Sequence, residues 1–300
     1  MSGVLAMAYG TPATRADLEP YYTHIRRGRP PSPELLAELR ARYDAIGGRS
    51  PLHEITEAQA AGLGAALDVH VAVGYKHAPP FIEDAAAALL AAGVERVVGV
   101  VLAPHYSHMS IGEYAARAAK ALGERARFAV VRSWATAPGY VEWLAEAVHA
   151  ALARLGPAAA GAEVVFTAHS LPERILAAAD PYPDELRATA EAVAGAARLA
   201  RWRVAWQSAG RTAGPWLGPD ILEVLPQIAA AGATGVVVCP AGFVADHLEV
   251  LYDLDIEAAR AARELGLPFA RTASPNADPR LAATLADAVT PLLAAEVGRQ

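Results

Sequence analysis

Val97-Val98-Gly99-Val100-Val101-Leu102 is an apolar run with no alternation of polar and apolar residues. A strand with one wet face alternates with a period of two; a parallel strand covered by helices on both faces does not. The run reads as a buried parallel strand, Arg96–Ala103. Seven more strand-like segments surround it: Val4–Tyr9, Val69–Tyr75, Phe128–Ser133, Glu163–Ala168, Arg203–Gln207, Gly235–Cys239 and Phe269–Thr272. Helical patterns fill the intervals. Strands separated by helical stretches are βαβ units, so the expected fold class is α/β with parallel sheets flanked by helices.

Four of the strands precede residue 140 and four follow residue 160. The stretch Leu155 to Gly161, with Gly156-Pro157 and a run of alanines, reads as the seam. Two similar halves are expected, residues 1–155 and 156–300, with a ligand cleft between them. In open α/β folds, ligands bind outside the carboxyl ends of the strands. Polar residues gather at those ends in Tyr9-Gly10-Thr11-Pro12, Tyr75-Lys76-His77, Pro104-His105-Tyr106-Ser107-His108, His169-Ser170, Gln207-Ser208 and Asp246-His247-Leu248-Glu249. One such end is a turn; six of eight make a functional rim.

Composition narrows the function. Of 300 residues, 54% are hydrophobic and 19% charged, enough apolar material for a sizeable core, and the net charge of −6 argues against a nucleic-acid or anionic-membrane surface. Basic residues that matter must act locally, in a pocket. The single cysteine, Cys239, excludes an intrachain disulfide and leaves too few thiols for an iron–sulfur cluster or a structural zinc site. Within Val236-Val237-Val238-Cys239-Pro240 it reads as a small buried hydrophobe. No signal peptide is visible and no apolar stretch approaches the ~20 residues of a membrane span, so a soluble, cytoplasmic protein is expected. A Gly-x-Gly-x-x-Gly turn, a Walker-type loop and a Gly-x-Ser-x-Gly elbow are all missing, which removes most NAD, ATP and hydrolase readings.

Two rim segments carry the chemistry. His169 stands at a strand tip, and with an ordinary pKa near about 6.5 an imidazole can take a proton at neutral pH. Ser170 reads as the N-cap of a helix opened by Pro172-Glu173. Eighty residues on, Glu249 starts a helix expected to run to Leu265, with an apolar stripe of Leu251, Leu254, Ala258, Ala262 and Leu265. Glu249, Asp253 and Glu257 recur every four residues along it. They are either a solvated acidic face or a file of carboxylates leading to a reaction site, suited to a divalent cation in transit. Like charges four apart repel slightly, which weakens the first reading. An imidazole and a carboxylate at one cleft suit proton removal and brief metal handling better than a permanent metal cage.

The stretch Tyr21-Tyr22-Thr23-His24-Ile25-Arg26-Arg27-Gly28-Arg29-Pro30 is basic and aromatic within an acidic protein. Arginine forks match carboxylates, so it is either a solvated loop or a contact for an anionic small molecule. The next helix has Ser32 as N-cap and Pro33 at its first position, and ends near Gly47-Gly48. Leu35, Leu39, Arg42 and Ile46 share one face of it. A guanidinium on an apolar stripe needs a partner, either an internal carboxylate or one on a ligand; Ser50 could add a hydroxyl. Tyr9, Tyr114 and Trp216 offer flat apolar faces. Together these residues suggest a flat, apolar ligand with acidic arms.

Met7 to Pro12, Tyr21 to Arg29, Tyr43 to Pro51, Leu102 to Ser107, Ala168 to Glu173, Trp206-Gln207-Ser208, Trp216 to Pro219 and Gly242 to Asp253 resemble the ferrochelatase family, in order and over nearly the whole chain. The resemblance implies two Rossmann-like domains around a porphyrin cleft. It implies a lyase that inserts Fe2+ into a porphyrin in heme biosynthesis, with two pyrrole protons released. His169 would be the catalytic histidine and Glu249 its acidic partner, both able to touch the metal. Asp253 and Glu257 would continue as a carboxylate ridge for metal or protons. Tyr9, Arg26, Arg42, Ser50 and Tyr114 would bind the porphyrin. The opening Tyr9-Gly10-Thr11-Pro12 resembles the soluble, monomeric bacterial branch that uses coproporphyrin III, whose four propionates would need anion partners. A regulatory Mg2+ site near Lys76-His77 and Glu83 is implied as well. No tightly bound cofactor is expected, and partners are limited to the porphyrin, Fe2+ and a transient iron- or heme-handling protein.

Alternatives stay open at this point: a protoporphyrin IX ferrochelatase, a cobalt chelatase of the same fold, and a non-catalytic tetrapyrrole carrier. A carrier needs arginines and aromatic walls but not His169 with Glu249.

Overall fold

A computed structural model of the chain describes residues 1–210 and 214–295. Eight strands form two four-stranded sheets in which every pairing is parallel. The first sheet holds β1 (Ser2–Ala8), β2 (His70–Tyr75), β3 (Arg96–Val101) and β4 (Arg127–Val130), in the spatial order β2-β1-β3-β4. The second holds β5 (Glu163–His169), β6 (Trp202–Gln207), β7 (Val236–Cys239) and β8 (Phe269–Arg271), in the order β6-β5-β7-β8. These are the eight segments expected from the apolar runs, with ends moved by a few residues at most.

The burial of β3 explains its unalternating sequence. Val97 and Val101 join Leu5 and Met7 of β1 in a core beneath the helices Ile82–Ala91 and Ile111–Leu122. Strand alternation turns Val98 and Val100 to the opposite face, where they are also fully buried, and the helix Pro279–Ala294 packs against this strand. A residue wet on neither face has no reason to be polar.

The chain divides into two compact units at places other than the expected seam. One unit is Met1–Trp134 with Ala245–His247 and the chain from Asn276 onward; the other is Ala135–Val244 with Leu248–Pro275. The helix Pro138–Arg154, expected in the first half, packs on β7, β8 and the helix Tyr182–Ala196 of the second unit. The helix Pro279–Ala294, expected in the second half, packs on β3 and the helix Leu52–Leu67 of the first. Each helix goes where its apolar face is buried. Gly156–Gly161 is a 3-10 turn inside the second unit and not a linker. The last five residues of the expected second half lie outside the described residues.

Both units share one strand order, and it positions the chemistry. The chain leaves the first strand of each sheet in one direction and later returns to its other side. The switch points lie between β1 and β3 and between β5 and β7, where open α/β sheets bind ligands. His169 is the last residue of β5, and the segment leaving β7 leads to Glu249. At the tip of β1, Gly10 has φ of +89°, and a Cβ there would lie 2.9 Å from the Cβ of Ala78. Only glycine fits that turn.

Three local expectations need correction. In the helix Pro33–Ala45, Ser32 does cap, its Oγ accepting from the amide of Leu35 at 3.4 Å, and Gly47 and Gly48 follow with positive φ. Its fully buried face, however, is Leu36 and Tyr43, while Leu35, Leu39, Arg42 and Ile46 are half-buried. Tyr43 sets the rotation by sharing a 3.0 Å hydrogen bond with Thr11 at the tip of β1. Ser170 caps no helix: it is fully buried, its hydroxyl donates to the carbonyl of Leu217 at 2.8 Å, and Glu173–Ala178 is a 3-10 turn with Pro172 at its cap. The segment expected as one helix from Glu249 to Leu265 is π-helical over Glu249–Ala258 and α-helical over Ala259–Glu264. Leu254, Ala258 and Ala262 are buried as expected, but Leu265 is 41% exposed at the helix end.

Candidate active site

The imidazole Nδ1 of His169 lies 3.0 Å from Oε2 of Glu249, with the two side chains 33% and 30% exposed. An ionised carboxylate only accepts hydrogen bonds, so Nδ1 carries the hydrogen and donates it. In the neutral ring Nε2 then holds the lone pair, available for a proton or a metal ion. Burial opposes a charged imidazole, but the charge and hydrogen bond of Glu249 and the charge of Asp253 outweigh it, and His169 holds a proton above the usual histidine range. The pair can accept a proton near neutral pH and stabilise the charge that results.

Neighbours fix the histidine. The Tyr182 hydroxyl donates to the His169 carbonyl at 2.9 Å. The Trp216 ring stands edge-on, with centroids 6.5 Å apart. Leu217 donates its amide to Leu171 at 2.8 Å, tying the Trp216 segment to the strand exit.

The carboxylate file is not a uniformly solvated face. Asp253 is only 7% exposed, and the Ser208 hydroxyl donates to its Oδ2. Glu257 is half-buried. The π-helix has wider turns than an α-helix and is found most often at functional sites; it carries all three acids of the file. Among the described residues no group of three or more His, Cys, Asp or Glu gathers as a metal cage.

The five expected porphyrin-binding residues all belong to the first unit, whereas His169 and Glu249 belong to the second. Tyr9 is 42% exposed at the tip of β1, its ring 4.6 Å from that of His77. Arg26 lies over the Tyr22 ring at 5.7 Å and donates from Nε to the Arg29 carbonyl. Arg42 is half-buried. Ser50 is 4% exposed, and its hydroxyl accepts from the amide of Leu52, serving the start of a helix. Tyr114 is 4% exposed beneath the Lys76 ammonium, 5.3 Å from its ring. Tyr9 is exposed and Arg26 half-buried, whereas Ser50 and Tyr114 are buried.

Around Lys76, His77 and Glu83, where the resemblance implied Mg2+, the acids have side-chain cations as neighbours. Both oxygens of Glu83 accept from Arg117, at 2.8 and 2.7 Å, and Lys76 pairs with Glu113 at 2.6 Å. The carboxylates there already face side-chain cations, which hold the Glu83 carboxyl below its usual range through the Arg117 hydrogen bond.

Two histidines of the first unit should make the protein acid-sensitive. Burial pushes His105, 2% exposed, down to about 3. His77 is also held at about 3, by burial and the nearby charges of Lys76, His24 and Arg117. In the unfolded chain both return to about 6.5. Their contribution is complete above that value and is lost as pH falls from it toward about 3, because the unfolded chain binds the extra protons. His169, raised in the fold, acts in the opposite sense and partly offsets them. Acidification to about pH 5 should cost about 2 kcal/mol through His105 alone. Thermal midpoints at pH 7 and about pH 5 should fall clearly in the wild type and less in His105→Asn; equal falls would remove His105 as the cause.

The sequence model of the ferrochelatase family matches residues 1–292. The chain belongs to the ferrochelatase family. The coproporphyrin III ferrochelatase of Halalkalibacterium halodurans is 44% identical over 303 residues, covering 97% of each chain. That of Geobacillus kaustophilus is 45% identical over 300 residues, covering 96% of this chain and 95% of the other. Among solved structures, SirB from Bacillus subtilis with Fe3+ aligns with a TM-score of 0.63 at 14% identity, over 98% of this chain and 96% of that one. CbiX, the terminal enzyme of siroheme biosynthesis in denitrifying bacteria, aligns with a TM-score of 0.55 at 17% identity, over 96% and 98%. At such identities the likeness is one of fold, the two-domain Rossmann-like chelatase architecture. This ferrochelatase is therefore a metal chelatase of the lyase class. Three residues that hold its histidine and glutamate, Thr167, Tyr182 and Gln207, had no assigned role from sequence; only Gln207 carried a signal, its place at a strand tip.

Proposed function

We propose that this ferrochelatase inserts Fe2+ into coproporphyrin III, giving coproheme in heme biosynthesis. The observation that carries the reading is the 3.0 Å contact between His169 and Glu249 at the switch point of the second sheet. The near full-length relatives named as coproporphyrin III ferrochelatases support the choice of ring. Iron stays ferrous throughout; two N–H bonds of the ring break and two nitrogen–iron bonds replace them. His169 Nε2 takes the two pyrrole protons one after the other, and Glu249 stabilises each imidazolium through Nδ1. Asp253 and Glu257 pass each proton from His169 to solvent before the next is taken. Tyr9, Arg26 and Arg42 bind the ring and its propionates, with Ser50 and Tyr114 behind them. The enzyme acts as a cytoplasmic monomer with no more than transient iron- or heme-handling partners. No helix among the described residues is long and apolar enough to cross a membrane.

Anaerobic Fe2+ insertion followed by absorbance, with coproporphyrin III and protoporphyrin IX side by side, tests this. Fast metalation of coproporphyrin is expected, with protoporphyrin much slower. Arg26→Ala and Arg42→Ala should each raise KM for coproporphyrin about tenfold, the scale of one charge-assisted contact. Equal rates on both rings would overturn the assignment of substrate. Ring binding without metalation above the uncatalysed rate would leave a carrier.

A further inference from the structure

Gln207 is fully buried and ends β6 directly beside His169 in the sheet register. Its side chain touches both carriers of the reactive pair. Its Oε1 accepts from the Thr167 hydroxyl at 2.7 Å, two residues before His169 on β5. Its Nε2 donates to the backbone carbonyl of Glu249 at 3.1 Å, at the first turn of the π-helix. The orientation is forced: with the amide turned over, Oε1 would face the Glu249 carbonyl, acceptor against acceptor. The Gln207 carbonyl accepts from the Ser170 amide at 2.7 Å, so the residue also holds the chain just past His169. Next to it, Ser208 adopts φ of +61° and donates its hydroxyl to Asp253. Two successive residues of one strand tip therefore grip the π-helix at its first two acids.

We propose that Gln207 is the positioning residue of the reaction: it sets the height of Glu249 against His169 by bridging Thr167 to the Glu249 carbonyl, and Ser208 does the same for Asp253. The inference rests on the chelatase reading for its kinetic consequence, but not for its structural one. A buried amide is an economical gauge because a helix start has carbonyls and amides to be gripped and a strand tip has a fixed height. Without the bridge, the β5 tip and the start of the π-helix lose a direct link behind the 3.0 Å imidazole–carboxylate contact. Neither Gln207 nor Thr167 touches the ring or the iron; both act through Glu249 and His169.

Gln207→Met keeps the volume and removes the side-chain bonds to Thr167 and Glu249 together with a longer one to Ser208. Partners behind a metal-handling group typically change activity by about 10- to 100-fold. The expected result is a kcat about 10- to 100-fold lower with KM for the porphyrin within about threefold, a split that points to lost chemistry and not lost binding. Thr167→Val, which cuts the bridge at one end, should cost less. The double variant should be no worse than Gln207→Met alone, since both act through one bridge. The imidazole N–H resonance of His169, followed in histidine-labelled protein, should shift or broaden in Gln207→Met. An unchanged kcat with an unmoved resonance, or additive single effects tracking thermal midpoint, would overturn the proposal. Should Gln207→Met not fold, Thr167→Val carries the test with the same readouts. A wild type that metalates no porphyrin, yet whose His169 resonance still moves in Gln207→Met, would sink the chelatase reading and leave the positioning role standing.

Discussion

Alanine at position 169 is expected to abolish metal insertion while leaving the ring bound. His169 places its imidazole Nδ1 3.0 Å from the Glu249 carboxylate. A positioned base contributes about 10²- to 10⁴-fold to a proton transfer. The kcat of His169→Ala should fall by at least about 10²-fold, with porphyrin affinity, measured by fluorescence quenching, changed only a few-fold. The side chain is one-third exposed, so thermal stability should change little, and the loss cannot be attributed to unfolding. Glu249→Gln should fall less steeply, because an amide oxygen can still accept from Nδ1–H but no longer stabilises the imidazolium by charge. A variant of His169 that keeps wild-type kcat would remove the imidazole from the mechanism.

The second large effect is structural. A Cβ at Gly242 would lie 2.5 Å from the Cβ of Ala168 and 2.8 Å from its Cα. The Gly242 amide donates to the Thr167 carbonyl at 3.0 Å, so the turn after β7 rests directly on the strand that ends in His169. Backbone cannot yield as a flexible side chain can. Gly242→Ala should destabilise by about 3 kcal/mol or more, at the upper end of overpacking. Whatever folds should be poor at insertion, because the tip of β5 must move. Gly195→Ala is the control: it lies in the helix Tyr182–Ala196 with nothing within 4 Å of the added Cβ. It should gain about 0.5–1 kcal/mol from helix propensity. Thermal melts of the two variants decide it; a Gly242→Ala protein as stable as wild type would mean the turn relaxes without cost.

Cys239 illustrates a reading that needed no tertiary information. Its neighbours Val236, Val237 and Val238 are all apolar, and it is fully buried with its thiol pushed up to about 12 by burial. The same holds for β3, whose residues after Arg96 are all apolar and buried. The acids Glu249, Asp253 and Glu257 were legible as a four-residue file, but not their environment. The Asp253 carboxylate is buried because Ser208, from a strand 45 residues away in sequence, donates to it. Ser170 and Pro172 form a convincing helix start in one dimension. The buried Ser170 hydroxyl instead donates to the Leu217 carbonyl, and the turn that follows has Pro172 at its cap.

Local residue patterns were enough to read which segments are strands, that they are parallel and covered on both faces, and which imidazole and carboxylate follow strand ends. These follow from local patterns of apolar and polar residues, because burial on two faces leaves its mark on every residue of a strand. Three features emerge only on folding: the unit to which the helices Pro138–Arg154 and Pro279–Ala294 belong, the π-helical winding at Glu249, and the amide of Gln207 that bridges Thr167 to Glu249. An amphipathic helix records that it has an apolar face, not which sheet will cover it. A buried hydrogen bond records nothing until its partner, distant along the chain, is in place.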